Sequence, residues 1–183
     1  MDVSLKSIGL KVLLNHASNF CENPVPCHSS LLILHTNGIH EVAVEYCGCS
    51  REIPHHTQLL RRGFYPASQQ TVQTCATFGL LDLLHKLALT SQSSTYDFYR
   101  ALEKVTNNTG VAVPKSRYRP LFRMVMQWRH LRLLKWGGRG HDPAGVLATS
   151  PGELAVLCPS CPRPGVNLPE DWEQAPPELK YVT

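Results

Sequence analysis

The chain has 183 residues, 43% of them hydrophobic, which is enough to bury one sizeable core and excludes a largely disordered protein. No apolar run reaches the roughly 18 residues of a membrane span, and the N-terminus lacks a secretory cleavage pattern, so we expect an intracellular, soluble protein. Seven cysteines in a reducing compartment favour metal binding over a disulfide framework.

The net charge of +4 is unevenly distributed. The segment 115–141 has no acidic residue and holds eight basic ones: Lys115, Arg117, Arg119, Arg123, Arg129, Arg132, Lys135 and Arg139. The C-terminal tail has the opposite sign, with Glu170, Asp171, Glu173 and Glu178. This asymmetry indicates a surface that faces a polyanion, although a solvated helix face explains the same pattern equally well.

Two strands are predicted near the N-terminus, at 31–35 (LLILH) and 39–47 (IHEVAVEYC). The sequence Thr36-Asn37-Gly38 between them is typical of a tight turn, so the two strands should form a hairpin. One or two helical turns are predicted after them, over 56–62, ending near Gly63.

Three helices are predicted in the middle of the chain. Residues 75–89 carry apolar side chains at helical spacing, namely Leu80, Leu83, Leu84 and Leu87. The next helix starts at Ser94-Thr95-Tyr96-Asp97, which is typical of a capping box, and its apolar stripe is Phe98, Leu102 and Val105. The third runs from about 116 to 136, with a core-facing arc of Tyr118, Leu121, Phe122, Val125 and Trp128.

A last strand is predicted at 153–157 (ELAVL), directly before the second of two cysteine pairs. The predicted fold class is therefore α+β. Zinc-ribbon-like strands from both ends of the chain would surround a three-helix insertion at about 75–137.

The two cysteine pairs, Cys47-Gly48-Cys49 and Cys158-Pro159-Ser160-Cys161, are the most specific chemical signal. A C-x-x-C turn brings two thiolates to one zinc ion, and residues i and i+2 of an extended segment also share a face. Four thiolates complete a tetrahedral site. The sequence therefore predicts one structural Zn2+ held by Cys47, Cys49, Cys158 and Cys161, with incidental thiols or a redox pair as alternatives.

The remaining cysteines are weaker candidates. Cys21, Cys27 and His28, with His16 nearby, form a possible second metal cluster, but their spacing matches no common zinc finger. The favoured interpretation is a proline-rich surface segment with incidental thiols. Cys75 begins an apolar helix and is predicted to be a small core residue.

Two histidine-containing stretches are weaker candidates for functional sites. His55 and His56 follow the first cysteine pair and are alternative metal ligands, although adjacent histidines more often only begin a helix. The stretch 138–143 (GRGHDP) sets a histidine beside an aspartate, but no nucleophile is tied to it, and its glycines and proline predict a loop. The favoured role of this loop is phosphate contact through Arg139.

Eight ordered stretches resemble one known family, the CxC-type cysteine-cluster region of Kyakuja-Dileera-Zisupton (KDZ) transposases, found chiefly in fungal genomes. The resemblance spans roughly residues 4–176. The stretches are TNGIH (36–40), YCGC (46–49), TYDFY (95–99), NNTG (107–110), QWRHL (127–131), GRGHDP (138–143), PGELAVLCPSCP (151–162) and GVNLP (165–169).

The resemblance implies a zinc-binding, DNA- or chromatin-associated module that precedes an RNase H-like catalytic core. Longer relatives carry another Cys/His finger upstream and continue into that core, so we expect a truncated chain without transposase activity. The predicted domains are a flanking segment at 1–30, a zinc-stabilised cysteine-cluster domain at 31–168, and an acidic, proline-rich tail at 169–183 that leads toward the absent catalytic domain.

The predicted function is thus a non-catalytic, zinc-binding and DNA-binding accessory domain of a KDZ-type transposase in the nucleus. DNA contact is assigned to Arg129, Arg132, Lys135 and Arg139. The alternative is a protein-interaction adaptor that docks onto a transposase catalytic domain or a chromatin protein. No membrane and no small-molecule substrate is expected, and the sequence shows neither clustered carboxylates nor a nucleophile–base pair for a stand-alone enzyme.

Overall fold

A computed structural model of the chain describes residues 4–14, 20–49, 53–109, 115–155, 158 and 160–176. The chain is α+β, as predicted, and the described residues form seven strands in two sheets and four α-helices. The strands are β1 (Lys11–Leu13), β2 (Pro24–Pro26), β3 (Leu32–His35), β4 (Gly38–Glu41), β5 (Ala43–Cys47), β6 (Phe64–Pro66) and β7 (Thr74–Thr77). The helices are α1 (His55–Arg61), α2 (Phe78–Thr90), α3 (Thr95–Thr106) and α4 (Tyr118–Trp136).

The chain divides into two compact units, Met1–Arg132 and Leu133–Thr183. The first unit contains both sheets. One sheet has the strand order β1-β5-β2, in which β1 is parallel and β2 antiparallel to β5. Its two outer strands come from the first 30 residues, the segment predicted to be flanking. The predicted domain bounds themselves stay a prediction.

The other sheet has the order β4-β3-β7-β6 and contains the predicted hairpin. The hairpin is confirmed, because β3 and β4 pair in antiparallel register, with Leu34 opposite Ile39. The predicted second strand, however, is divided at Val42, and its second half becomes β5 of the three-stranded sheet. The cause is packing: the Val42 side chain is buried in the core beside that sheet.

The four-stranded sheet separates two hydrophobic clusters. Because strand side chains alternate between faces, Leu34 and Ala76 contact the cluster formed with α2, α3 and α4, whereas Ile33 and Cys75 contact the other. Cys75 is fully buried, so its prediction as a core residue is confirmed.

The helix predicted over 75–89 begins later than expected. Residues 74–77 are β7, which pairs in parallel with β3, and Thr77 is the N-cap of α2, its hydroxyl accepting from the Leu80 amide at 3.3 Å. The buried face is also rotated relative to the prediction. It includes Leu81, whereas Leu83 is 38% exposed. The short helix predicted before it is confirmed as α1.

The predicted N-cap of α3 at Ser94 is confirmed, but the Asp97 carboxylate accepts from the Ser94 hydroxyl rather than from a free backbone amide. Ser94 Oγ accepts from the Asp97 amide at 3.1 Å and donates to the Asp97 carboxylate at 2.6 Å. The predicted stripe was partly wrong, because Val105 is 61% exposed and Tyr99 is buried in its place. The Tyr99 hydroxyl accepts from the Arg117 amide at 2.6 Å, which ties α3 to the start of α4.

Helix α4 is continuous through Pro120, which lies in its first turn, as predicted. Its buried core residues in the first unit are Leu121, Met124 and Val125. The predicted Tyr118 and Trp128 are partly buried against the same cluster, whereas the predicted Phe122 is 46% exposed. Across the part of the chain that the structure describes, no helix combines the length and apolarity needed to cross a membrane.

The second unit holds the last turn of α4, a series of turns and two 3₁₀ helices, Val146–Ala148 and Trp172–Gln174. The predicted loop at 138–143 consists mostly of turns. The strand predicted at 153–157 was wrong for residues 153–155, which lie in a turn whose Glu153 carboxylate pairs with Arg139. Residues 156 and 157, and Glu178 of the tail, lie outside the described residues.

Candidate metal centre

The register between β2 and β5 positions the first group of cysteines. Pro24 lies opposite Cys47 in this antiparallel pair, and one step further the Gly48 amide donates to the Asn23 carbonyl oxygen at 2.8 Å. The Asn23 side-chain amide in turn donates to the Gly48 carbonyl at 3.2 Å. Because these two segments of the chain remain paired to this point, Cys21 lies opposite the end of the Cys47-Gly48-Cys49 segment.

The sulfurs of Cys21, Cys47 and Cys49 all lie within 4.8 Å of one another. Cys21 Sγ is 3.7 Å from Cys49 Sγ. A zinc ion with Zn–S bonds of about 2.3 Å holds tetrahedral thiolates about 3.8 Å apart, so this spacing fits one ion. No disulfide competes, because all seven cysteines are free.

Backbone amides point at two of these sulfurs. The Cys49 amide donates to Cys47 Sγ at 3.4 Å, and the Asn23 amide donates to the Cys21 sulfur. Hydrogen bonds from amides favour thiolates, which are the form that ligates a metal. Burial acts in the opposite sense and raises the pKa of the Cys21 thiol, and the neighbouring Cys49 and Cys47 sulfurs raise it further. A divalent cation would relieve both effects by replacing the thiol protons.

Gln58 anchors the cluster from α1. It is buried, and its side chain accepts from the Cys47 amide at 2.8 Å and donates to the Cys47 carbonyl at 3.0 Å. The ring of His55 stacks on Tyr46 at 4.1 Å, nearly parallel. His55 therefore packs on β5, and the cluster contains cysteines only among the residues that the structure describes.

The weaker cluster predicted around Cys21, Cys27 and His28 is not assembled as such. Cys27 Sγ contacts the Tyr46 hydroxyl at 3.1 Å, in the core beside the three-stranded sheet. The His28 ring contacts Ser30 Oγ at 3.0 Å. Cys21 joins the first cysteine pair instead, and His16 lies outside the described residues.

The second cysteine pair lies in the second unit and has a turn of its own. The Cys161 amide donates to the Cys158 carbonyl at 3.3 Å, and both side chains are exposed. The Cys161 side chain, followed by the Ser160 and Cys161 amides, lowers the pKa of the Cys158 thiol, so this turn favours a thiolate. The complete ligand set of Cys47, Cys49, Cys158 and Cys161 stays a prediction.

The basic residues assigned to DNA contact fall into two groups. Arg132 pairs with Asp82 at 3.2 Å, and Arg139 pairs with both Asp142 and Glu153. A phosphate would have to compete with these carboxylates. Arg129 is half-buried and Lys135 is exposed. The assignment of DNA contact to these four residues stays a prediction.

One family matches this chain in comparisons with known proteins. It is described as the CxC2 like cysteine cluster associated with KDZ transposases, and it matches residues 5–110, more than half of the chain. The chain belongs to the CxC2 cysteine-cluster family. The predicted family is thereby confirmed. No curated protein and no solved structure matches the chain.

The CxC2 match covers Cys21, Cys47 and Cys49 and ends before Cys158. The matched part is an accessory cysteine cluster rather than a catalytic domain. Sequence reasoning found the C-x-C pair but missed Cys21 as its neighbour. A usable signal was the alternation of prolines in Pro24-Val25-Pro26, which suits an edge strand. The Cys27 amide donates to the Val44 carbonyl at 2.9 Å, so the nitrogens of residues 24 and 26 face away from β5. An edge strand needs no N–H on that side.

Proposed function

We propose that this CxC2 chain is a non-catalytic accessory module of a KDZ-type transposase that holds a structural zinc ion and binds DNA in the nucleus. The observation that carries the proposal is the convergence of Cys21, Cys47 and Cys49. These residues supply three of the four thiolates of a tetrahedral site, and the predicted Cys158 and Cys161 are the candidates for completing it.

A structural role for the zinc follows from where the thiolates lie. They join the segment before β2 to the end of β5, and Gln58 of α1 holds the same Cys47 backbone. Three or four thiolates carry more negative charge than Zn2+ carries positive charge, so the ion stabilises this part of the sheet without acting as a strong Lewis acid.

The first test compares two cysteine variants. Cys21→Ser should lower the zinc content of the purified chain from about one ion per monomer and reduce its thermal stability, because a ligand is lost. Cys27→Ser is the matched control, since Cys27 contacts Tyr46 rather than the cluster, and it should retain its zinc. Equal zinc content in the two variants, measured by plasma mass spectrometry, would contradict the assignment of Cys21.

DNA binding is proposed for the α4 outer face, defined as Arg119, Phe122, Arg123, Met126, Arg129 and His130. Helix α4 contains no acidic residue. Among the described residues, its three arginines here form no ion pair, in contrast to Arg132. A row of cations without local carboxylates attracts phosphate and releases counterions when it binds. The α4 outer face thus extends the predicted DNA contact from Arg129 toward the helix N-terminus.

A further inference from the structure

The first unit contains a groove that the metal centre does not use. It lies between α1, the segment 65–70 that includes the end of β6, and one side of α4, and has a cavity volume of about 560 Å3. This volume lies within the range of about 300–1,000 Å3 typical of sites for small organic groups. Arg123, Gln127 and Leu131 line it from α4, at i, i+4 and i+8 spacing.

The lining of the groove combines an apolar floor with amide groups. Leu60, Tyr65 and Leu131 contribute apolar surface, and Gln70 and Gln127 are among three glutamines in the lining. A primary amide offers both a donor and an acceptor, which is what the edge of a nucleobase requires. None of the described residues that line the groove is acidic, so the lining does not favour a cation or a basic peptide.

Two contacts orient Tyr65 at this site. Its hydroxyl donates to Gln127 Oε1 at 3.3 Å, and its ring lies nearly perpendicular to the Trp128 ring at a centroid distance of 6.0 Å. Unpaired bases gain affinity by stacking on fixed aromatic rings, and their exposed edges are then free to bond with amides.

Arg123 connects the groove to the α4 outer face. It is exposed, and it is the lining residue with a permanent positive charge. A phosphate at Arg123 would place the adjoining base over the groove, whereas the neighbouring arginines would hold the rest of the backbone. The groove and the α4 outer face therefore share the charge of Arg123, and one DNA strand could contact both.

We propose that this groove binds an unpaired nucleotide of a DNA strand, with phosphate at Arg123, the base against Tyr65 and the base edge at Gln70 and Gln127. The proposal rests on the proposed DNA binding and names its preferred substrate as DNA with single-stranded ends. It commits to nucleic acid because the charge and the amide groups both match it.

The test measures fluorescence anisotropy of the zinc-loaded full chain with a blunt duplex and with the same duplex carrying a three-nucleotide overhang. The overhang should bind about fivefold tighter or more, because stacking adds to phosphate contact. Arg123→Gln and Gln70→Ala should each abolish this preference, so that the two duplexes bind with equal affinity. Arg119→Gln removes an equal charge from the same helix outside the groove. It should weaken binding to both duplexes equally and preserve the ratio of their affinities.

The outcomes separate this inference from the function beneath it. Equal affinity for both duplexes, or equal effects of Arg119→Gln and Arg123→Gln on the ratio, would overturn the groove assignment and leave DNA binding in place. Full competition by a free deoxynucleoside monophosphate at the concentration of the overhang would also overturn it, because it would indicate a small-molecule site. Failure to bind any DNA would contradict the proposed function itself.

Discussion

At Gly48 the chain passes so close to Asn23 that there is no room for a side chain. An added Cβ would lie 2.8 Å from Asn23 Nδ2 and 2.9 Å from the Asn23 carbonyl oxygen. Gly48→Ala must therefore push the segment before β2 outward and carry Cys21 with it. We expect a loss of about 1–3 kcal/mol in the free energy of unfolding, together with weaker zinc affinity, measured by urea denaturation and chelator competition.

Gly79→Ala provides the control for this prediction. A Cβ at Gly79, in the first turn of α2, meets nothing within 4 Å. Alanine also favours helix relative to glycine, so the free energy of unfolding should stay unchanged or rise slightly. If Gly48→Ala were as well tolerated as Gly79→Ala, this would contradict the close packing of Gly48 against Asn23.

Helix α1 is fastened to β5 through one buried amide. Gln58 satisfies the amide and the carbonyl of Cys47 and also donates to the Ile53 carbonyl at 3.2 Å. Gln58→Ala leaves these buried groups without their partner, and each such group costs about 1–3 kcal/mol. We therefore expect a loss of about 2–4 kcal/mol in the free energy of unfolding, with zinc affinity reduced.

Gln73→Ala serves as the comparison, because Gln73 is an exposed glutamine that contacts the His28 ring at 3.3 Å. Its removal should change the free energy of unfolding by less than about 0.5 kcal/mol. Similar losses in the free energy of unfolding in the two variants, measured by thermal and urea unfolding, would contradict the structural role of Gln58.

Several elements were predictable from the sequence because their signals are local. The hairpin turn at Asn37 and the N-cap at Ser94 act through neighbouring residues, and both are confirmed. Strand β7 was not predictable in this way, since Cys75 and Ala76 are extended only because β3 and β6 flank them. Hydrophobic periodicity alone therefore predicted that the α2 helix includes these residues.

The same distinction explains the metal centre. The C-x-C pair is adjacent in sequence, and its shared face follows from strand geometry. The position of Cys21 instead depends on the register of β2 against β5, a contact between residues more than 20 positions apart. Two prolines in β2 argue against a strand by propensity, and only their alternate spacing, which suits an edge strand, could have indicated it.

At the scale of the whole molecule, the distribution of charge predicts how DNA binding depends on salt. Replacing Arg119, Arg123 and Arg129 together by glutamine should lower the slope of log affinity against log salt by about 2 to 3, because each phosphate contact contributes about 0.9. Arg132→Gln is the matched control, since Asp82 already balances that charge. It should change the slope by much less than the value of about 0.9 for one phosphate contact, in titrations of a blunt duplex.

A slope that is unaffected by the triple replacement would contradict the α4 outer face as the DNA contact. Binding to protein partners with no salt-dependent DNA affinity at all would favour the adaptor function. The DNA affinities in both outcomes are read from the same titrations.

The most direct test of the central claim, that Cys21, Cys47 and Cys49 hold one zinc ion, is zinc-edge X-ray absorption of the loaded chain. We predict at least three sulfur ligands at about 2.3 Å. The sulfur count should fall in Cys21→Ser, and it should fall in the double variant Cys158→Ser, Cys161→Ser only if the second pair completes the site. A zinc shell of nitrogen and oxygen with fewer than three sulfurs, unchanged by Cys21→Ser, would contradict the account.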